Sequence, residues 1–541
     1  CARFLMSNTD SLYPQLATHN ALTLAWINEI GRGRDYELQR LHGMAGSLYQ
    51  ALADCFDDVP PVRVYAPVGN HQELLPYLVR RLLENGSNSS FINQLTDKQT
   101  DLDELVENPC RRVEATDCRP HRHIPLPVDL YGDERRNAIG WDLSDADVVN
   151  EMETKLRQVC AHSWQAAARV GGDDRQGESV ALLNPADSAQ AVGRVCETDR
   201  QDVERALALA ADAALPWDAA GGNKRATILL AAADRFEEKA PELIARVIRE
   251  GGRTLRDAIA EVREAVDFCR YYALQAKQEF ERPRSLPGPT GEKNELQLHG
   301  RGVFACISPW NFPLAIFVGQ ISAALAAGNS VLAKPARQTP LTGYHAICLL
   351  HEAGVPADVL HFLPGSGAAI GGQILPDRRL SGVAFTGSTD TAWTIQRALA
   401  DRQGAIVPLI AETGGQNVMI ADSSALPEQL VVDVLQSAFN SAGQRCSALR
   451  VLFVQNEIAA PVIRLLAAAM QEIQIGDPVL LASDVGPLID QDAARSLQPH
   501  VARLQREARL LQRIDPPQNL QAGCFFPLQA FELESLALLE K

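Results

Sequence analysis

The chain has 541 residues, of which 46% are hydrophobic and 22% are charged, a composition typical of a globular protein with two or more domains. Its formal net charge is −16, from 67 acidic and 51 basic residues, which argues against a nucleic-acid-binding surface and favours a soluble cytoplasmic protein.

The chain ends, the cysteines and the most apolar stretch limit the classes further. The chain begins with Cys1 and ends at Lys541 without a capping or turn signal, so we interpret it as a segment cut at both ends. Residues 314–327 are too short to cross a bilayer and predict a buried helix. The cysteines number 11 and lack CxxC spacing, so we expect reduced structural thiols outside Cys446. One group fits no zinc pattern, and no metal is expected there: Cys110, Cys118, His121 and His123.

The first part of the chain alternates short strands with helices. Over residues 1–95, the strand pattern at 62–66 is followed by a helix pattern at 73–85 that stops at Gly86. Residues 96–175 are rich in proline and charge, and they predict a connector with one helix near 145–168.

A different pattern begins near residue 176. Apolar spacing there predicts helices over 202–213, 224–239, 242–250 and 255–280. Each of the next short apolar strands is followed by a helix pattern, and these strands are predicted at 302–307, 330–333, 359–363 and 382–385. This alternation predicts a parallel sheet covered on both faces.

Three side chains in this region have the chemistry needed to oxidise an aldehyde: Cys446 in GQRC (443–446), Glu412 in ETGG (412–415) and Asn311 in PWNFP (309–313). A thiolate can add to the carbonyl, and the Cys446 backbone N–H and the Asn311 amide can stabilise the oxyanion. Expulsion of hydride to a nicotinamide leaves a thioester, and the carboxylate of Glu412 can then activate water. Each motif alone is weak, but their order and spacing strengthen the interpretation.

Together with KPA (334–336) and FTGS (385–388), these motifs resemble the aldehyde dehydrogenase superfamily over residues 176–541. The resemblance implies an α/β fold, with a Rossmann-like NAD-binding domain at 176–410 and a catalytic domain at 411–541. It implies that Cys446 is the nucleophile, Glu412 the base and Asn311 the oxyanion donor. It implies that Lys334 holds the adenosine ribose and that Gly387 and Ser388 lie against the cofactor phosphates. The other cofactor contacts that it implies are Ile307, Ser308, Pro309, Trp310, Gly367, Phe385, Thr386, Thr413 and Gly414.

Arg337 departs from the pattern of that family, which often has Glu at this position. An arginine cannot accept hydrogen bonds from ribose hydroxyls, but it could meet a 2′-phosphate. The simpler interpretation is an exposed arginine, with Lys334 alone holding the ribose. NAD is therefore the expected cofactor and NADP stays open.

The helix at 73–85 has a signal of its own. Tyr77, Arg80, Arg81 and Glu84 fall along one flank, and two guanidinium groups could clamp a small carboxylate. An exposed helix with salt bridges is the ordinary alternative. The flanking motifs are YP (13–14), ATHN (17–20), LHGM (41–44) and RVYAPVG (63–69). In this order they resemble the end of a proline dehydrogenase barrel, specifically that of the bifunctional bacterial proline utilization A family.

This second resemblance covers essentially the whole chain. It implies that residues 1–95 are the C-terminal part of a (β/α)8-type flavin barrel and that 96–175 connect it to the aldehyde dehydrogenase. The residues implied at the two ligands are Arg80, Arg81, Tyr65 and Leu41 for proline, and Thr18, His19, Asn20 and Glu84 for FAD. Because the family's remaining site residues would lie outside 1–541, we expect an incomplete proline dehydrogenase site here.

The implied function is proline catabolism. Proline is oxidised with FAD to pyrroline-5-carboxylate, and glutamate semialdehyde is oxidised with NAD to glutamate. The resemblance also implies a homo-oligomer for the full-length protein, and it leaves open peripheral membrane association through quinone reduction. Two alternatives remain: a broad-specificity NAD(P)-dependent aldehyde dehydrogenase, against which the helix with Arg80 and Arg81 argues, and a non-catalytic nucleotide-binding protein, against which Cys446 and Glu412 argue.

Overall fold

The computed structural model describes residues 1–86, 101–117, 119 and 124–539. The chain divides into two compact units, residues 1–124 and residues 125–541. Cys118, His121 and His123, which belong to the group that fits no zinc pattern, lie outside the described residues. Within the described part, no helix is both long and apolar enough to cross a membrane, and no cluster of side chains could hold a metal ion.

The first unit is built on a parallel three-stranded sheet in the order β1-β2-β3. Its strands are β1 (Gln15–Ala17), β2 (Glu37–Leu41) and β3 (Val62–Tyr65). Its helices are α1 (Ala2–Ser7), α2 (Ala21–Ile30), α3 (Gly46–Cys55), α4 (His71–Gly86), α5 (Leu102–Leu105) and α6 (Pro109–Glu114). The predicted strand at 62–66 and helix at 73–85 are confirmed as β3 and α4. Because the strands are parallel, their carboxyl ends share one edge.

A polar network ties these strands together. Glu37 accepts hydrogen bonds from Gln15, from Gln39 and from both Arg63 Nε and a second guanidinium nitrogen, each of the Arg63 bonds at 2.7 Å. The bidentate Arg63 contact is the largest cause that lowers the pKa of Glu37 to about 2. One carboxylate on β2 therefore bonds side chains of both neighbouring strands.

The second unit contains a seven-stranded sheet in the order β15-β14-β11-β12-β13-β5-β6, and smaller sheets surround it. Its strands are β4 (Trp164–Ala167), β5 (Arg169–Val170), β6 (Asp173–Asp174), β7 (Val180–Asn184), β8 (Asp187–Cys196), β9 (Arg284–Leu286), β10 (Asn294–Leu296), β11 (Val303–Ile307), β12 (Ser330–Lys334), β13 (Leu360–Phe362), β14 (Leu380–Gly387), β15 (Leu409–Thr413), β16 (Asn417–Ala421), β17 (Leu449–Val454), β18 (Arg509–Ile514) and β19 (Leu528–Glu532).

The helices of this unit cover the sheet and extend beyond it. They are α7 (Ala146–Cys160), α8 (Arg200–Ala219), α9 (Gly222–Glu238), α10 (Ala240–Gly251), α11 (Leu255–Glu279), α12 (Ala315–Ala326), α13 (Pro340–Glu352), α14 (Gly367–Ile374), α15 (Thr389–Ala400), α16 (Pro427–Phe439), α17 (Asn456–Gln471) and α18 (Gln491–Glu507). The helices predicted between residues 202 and 280 are confirmed as α8 to α11, and the apolar stretch at 314–327 is confirmed as α12.

The predicted parallel sheet is confirmed by β11, β12, β13 and β14, which pair in parallel, and β15 extends it. Strands β12 and β13 are buried along their whole length. One face packs against Phe317 and Ile321 of α12, and the other against Leu207 and Ala210 of α8. Helices on both faces explain why these strands read as continuous apolar runs.

The prediction of one helix near 145–168 is wrong beyond residue 160. Helix α7 ends at Cys160, and residues 164–167 form β4, which pairs with β8. Trp164, Ala166 and Ala168 are buried, whereas Gln165 between them is exposed. This alternation has the period of a strand. Because it spans only a few residues directly after a helix pattern, the predicted helix extends over it.

A buried glutamate holds the start of α13 against the end of α10. Glu250 is 1% exposed and accepts hydrogen bonds from Leu341 N (2.6 Å), Thr342 N (2.8 Å) and Thr342 Oγ1 (2.6 Å). These backbone groups have no partner within the helix, because the first N–H groups of a helix lack one. Burial raises the pKa of Glu250 to about 7, against the opposing effect of the Thr342 and Leu341 bonds.

We predict that Glu250→Ala lowers the free energy of unfolding by about 3 kcal/mol, because it leaves buried donors at the start of α13 without an acceptor. Chemical denaturation followed by circular dichroism measures the change. Glu352→Ala, an exposed substitution at the other end of α13, is the matched control and should change stability by less than about 0.5 kcal/mol. Equal effects of the two substitutions would contradict this role.

Candidate active site

Asn311 follows the carboxyl end of β11, in the turn that leads into α12. Its Nδ2 donates a hydrogen bond to Gln444 O at 3.1 Å, so the turn is tied to the loop that carries Cys446. An amide NH₂ group has two donors, and one remains for a ligand. The Oδ1 atom of Asn311 is buried without a hydrogen-bond partner in the described structure.

The Cys446 loop begins with an unusual backbone. After α16, a 3-10 turn over residues 440–443 places Ser441, Ala442 and Gly443 at φ values of 56°, 54° and 69°. Residues other than glycine rarely adopt backbone angles in this left-handed region. Each such residue lowers the stability of the fold by on the order of 1 kcal/mol. The turn leaves Cys446 exposed, and Cys446 O accepts a hydrogen bond from Asn417 Nδ2 at 2.6 Å.

Asp257 in the first turn of α11 stabilises this strained turn. Its Oδ2 accepts a hydrogen bond from Ser441 Oγ at 2.7 Å, and its Oδ1 accepts one from a terminal nitrogen of Arg445 at 2.5 Å. Arg445 Nε in turn donates to Ser441 Oγ at 3.0 Å. Asp257 and Ser441 are both buried, so breaking the network would leave polar groups without partners.

Glu261 lies one helical turn further along α11 and binds the backbone at the end of the Asn311 turn. It accepts hydrogen bonds from Leu314 N (3.0 Å) and Ala315 N (3.2 Å) at the start of α12. Arg253 lies 3.8 Å from its second oxygen, and both side chains are buried. Burial raises the pKa of Glu261 to about 7, while Arg253 opposes that shift. The same face of α11 therefore positions the Asn311 turn and the Cys446 loop.

Glu412 belongs to β15, where it is exposed and lies in register with Thr386 of β14. Because β15, β14 and β11 are parallel neighbours, Glu412 and Asn311 lie at the same edge of the sheet. The hydrogen bonds of the described residues join Asn311 to the Cys446 loop, whereas Glu412 is placed by the sheet register alone. Arg445 and Ser447, the sequence neighbours of Cys446, line a cleft of about 370 Å³ together with Met419 of β16 and with Asp433, Gln436 and Ser437 of α16, whereas Cys446 is not among the lining residues.

The residues predicted at a dinucleotide follow the carboxyl ends of neighbouring strands, the edge where open α/β sheets bind ligands. They are Ile307 at the end of β11 and Ser308, Pro309 and Trp310 after it, Lys334 at the end of β12, Gly367 after β13, Phe385, Thr386, Gly387 and Ser388 at the end of β14, and Thr413 and Gly414 at the end of β15. Their contacts with a cofactor stay predictions.

The donors at this edge fit a dinucleotide. Lys334 is buried, and its Nζ donates one hydrogen bond, to Pro335 O at 2.6 Å, which leaves further donors. Burial lowers its pKa to about 8. A Cβ atom on Gly367 would lie 3.8 Å from Lys334 Cε, and one on Gly387 would lie 2.6 Å from the Phe385 ring. Ser388 caps α15, whose first N–H groups can bind an anion.

In the first unit, Thr18, Leu41 and Tyr65 lie at the shared carboxyl edge of the three strands. His19 and Asn20 lead into α2, where Asn20 Oδ1 accepts from Thr23 N at 2.9 Å and Thr18 Oγ1 accepts from Asn20 N at 3.1 Å.

The four side chains predicted to lie along one side of a helix belong to α4. The Arg81 guanidinium lies 5.2 Å from the centre of the Tyr77 ring, and Arg80 is on the same helix. Glu84 is also on α4, but its side chain is outside the described part of the structure.

Sequence reasoning missed the acids behind the site. Asp257 and Glu261 lie among the buried residues Ala258, Ile259 and Val262 of α11. The sequence does contain a signal for them, because two acids four residues apart interrupt an otherwise apolar helix face. Since buried carboxylates need partners, this pattern indicates that both acids bind other parts of the chain.

Comparison with known proteins agrees with both resemblances. A model of the aldehyde dehydrogenase family matches residues 173–531, and a proline dehydrogenase model matches residues 1–94. The bifunctional protein PutA of Salmonella typhimurium is 45% identical, and the match covers 100% of this chain and 42% of that protein. The chain thus spans less than half the length of that relative.

A second relative and a solved structure cover different parts. The 1-pyrroline-5-carboxylate dehydrogenase of Geobacillus kaustophilus is 34% identical over 73% of this chain and 74% of its own length. The crystal structure of proline utilization A from Bdellovibrio bacteriovorus, inactivated by N-propargylglycine, is similar with a TM-score of 0.86 and 30% identity, and the match covers 98% of this chain and 55% of that chain.

We predict that Asp257→Asn increases amide hydrogen exchange across residues 440–447 and lowers the free energy of unfolding by about 2 kcal/mol. The neutral amide no longer offsets the charge of Arg445, whose guanidinium stays partly buried. Hydrogen-exchange mass spectrometry measures the loop directly. Glu428→Gln, an exposed substitution on α16, is the control, and an unchanged exchange rate in the loop of Asp257→Asn would show that this acid does not hold it.

Proposed function

Because the chain belongs to the aldehyde dehydrogenase family, we propose that its second unit oxidises glutamate semialdehyde to glutamate with NAD. The observation that carries this proposal is the hydrogen bond between Asn311 Nδ2 and Gln444 O, which brings the amide to the loop of the exposed Cys446. The activity named for the Geobacillus relative, 1-pyrroline-5-carboxylate dehydrogenase, supports the choice of substrate.

Cys446 begins the reaction. Its thiolate attacks the aldehyde carbon, a carbon–sulfur bond forms, and the carbonyl electron pair moves onto oxygen. The Cys446 backbone N–H and the remaining N–H of Asn311 donate hydrogen bonds to that oxyanion, and preorganised donors of this kind are worth about 3 kcal/mol each in similar reactions. The Asp257 and Glu261 contacts keep the two loops in place while charge develops.

Glu412 completes the reaction as the general base. A bound nicotinamide supplies the acceptor for the hydride that leaves the same carbon, and the sulfur then carries an acyl group as a thioester. Glu412 takes a proton from water as the water oxygen attacks the thioester, and the carbon–sulfur bond breaks to release the acid and the Cys446 thiolate. Its exposure on β15 lets water reach it.

A dinucleotide would be held by groups at this sheet edge. Lys334 would donate to the adenosine ribose, and the N-terminus of α15 with Gly387 and Ser388 would bind the phosphates. The remaining predicted contacts follow the strands of the same sheet edge. NAD is the proposed cofactor.

We infer a second role for the first unit, as part of the proline dehydrogenase half of a bifunctional protein. The match to residues 1–94 supports it, and so does the shared strand edge that carries Thr18, Leu41 and Tyr65. Arg80 and Arg81 would bind the proline carboxylate, with Tyr65 and Leu41 lining the pocket.

A flavin fits this unit only in part. Thr18, His19, Asn20 and Glu84 are proposed to lie at FAD, but the Thr18 and Asn20 side chains already serve the turn into α2. The described residues of this unit would supply one edge of a flavin site. A homo-oligomer and peripheral membrane association of the full-length protein stay predictions.

We predict that Cys446→Ala lowers NAD-dependent oxidation of glutamate semialdehyde at least about a thousandfold, because no other group replaces the nucleophile. The equilibrium dissociation constant for NAD should stay within about twofold of the wild-type value. Steady-state absorbance of the reduced cofactor and calorimetry measure the two quantities. The exposed Cys55→Ala is the control. Retention of aldehyde oxidation by Cys446→Ala would overturn the assignment of the nucleophile.

A further inference from the structure

One carboxylate lies at the ribose end of the candidate cofactor site without a role in the chemistry above. Glu197 follows the end of β8, and its Oε1 pairs with Arg337 Nε at 3.3 Å. Arg337 lies three residues after Lys334 in the sequence. The charge of Glu197 also acts on Lys334, where it opposes the fall in pKa that burial causes.

The backbone around Glu197 is fixed against the glycine turn that precedes α14. Both the backbone N–H and the Oγ1 of Thr198 donate to Pro364 O, at 2.9 and 2.8 Å. A Cβ atom on Gly365 would lie 3.5 Å from the Cβ of Glu197 and 3.8 Å from its Cδ. The carboxylate is thus held beside Lys334, Arg337 and this turn.

Exposure makes a purely structural role a poor explanation of the pair. The Arg337 side chain is 65% exposed and that of Glu197 is 30% exposed. Exposed ion pairs contribute little to folding stability. The same exposure leaves a carboxylate oxygen accessible to a ligand that lies against Lys334.

We propose that Glu197 makes this site select the dinucleotide with a free 2′-hydroxyl over the one with a 2′-phosphate. A carboxylate accepts a hydrogen bond from a ribose hydroxyl, which Arg337 cannot do. It repels a phosphate, and it offsets the charge of Arg337 that would otherwise attract one. Glu197 is distant in sequence, but it supplies the acceptor that the residue at position 337 lacks. This inference rests on the proposed function, in which Lys334 holds the adenosine ribose.

Calorimetric titration of the whole 541-residue chain with NAD and with NADP tests the proposal without any turnover. The wild-type protein should bind NAD more tightly. Glu197→Gln keeps the side-chain shape and removes the charge, so it should tighten NADP binding about tenfold and weaken NAD binding a few-fold, because Arg337 becomes available to the 2′-phosphate. Glu428→Gln, an exposed substitution of the same kind on α16, should change neither constant.

Arg337→Gln provides a second, independent arm. This substitution removes the positive charge that offsets Glu197. The carboxylate should then repel the 2′-phosphate more strongly, so NADP binding should weaken more than NAD binding. In the double variant, the gain in NADP affinity produced by Glu197→Gln should disappear. This arm tests the proposal even if Glu197→Gln fails to fold.

The results that overturn the proposal are separate from those that overturn the proposed function. A wild-type chain that binds neither dinucleotide contradicts the cofactor assignment itself, and this inference with it. Tight NAD binding, with a ratio of NAD to NADP dissociation constants that stays within about twofold in Glu197→Gln, contradicts the role of Glu197 alone. An unchanged ratio in Arg337→Gln leads to the same conclusion.

Discussion

The candidate active site depends on two acids, Asp257 and Glu261, that lie one turn apart on the buried face of α11. Asp257 holds Ser441 and Arg445 before Cys446, and Glu261 holds the backbone that follows Asn311. Residues four positions apart share a helix face, so one rigid element sets the spacing of two loops that come from distant parts of the chain. Since buried carboxylates are costly without partners, each loop has one favoured position.

This arrangement explains how a strained loop can present the proposed nucleophile, Cys446. Ser441 and Ala442 adopt left-handed backbone angles, and the hydrogen bonds of Asp257 and Arg445 offset that cost. The sheet contributes in a different way, because its parallel strands deliver Asn311, Lys334 and Glu412 to one edge. Thiol, amide and base thus come from structures that are each stabilised independently of the substrate. Such a site is preorganised, which is what electrostatic stabilisation of an oxyanion requires.

Much of the fold could be predicted from the sequence, because α8 to α11 have long, regular apolar patterns and each buried parallel strand is a continuous apolar run followed by a helix pattern. Strand β4 could not, since Trp164 to Ala167 is too short to show its period beside α7. Motifs identified Cys446, Asn311 and Glu412 as candidates, but their chemistry did not reveal what positions them. The partners of Asp257 lie 184 and 188 residues away, and Glu197 is separated from Arg337 by 140. Contacts of this kind leave no local pattern.

In the proposed mechanism, the sulfur of Cys446 attacks the carbonyl, and Glu412 acts only later, as the base that helps water to release the product. Mass spectrometry of Glu412→Gln, digested after incubation with glutamate semialdehyde and NAD, tests it most directly, because loss of the base should let the covalent acyl-enzyme accumulate. We expect the acyl group on the peptide that contains Cys446. An acyl group on any other of the 11 cysteines, or none on a folded protein that binds NAD, would show that Cys446 is not the nucleophile.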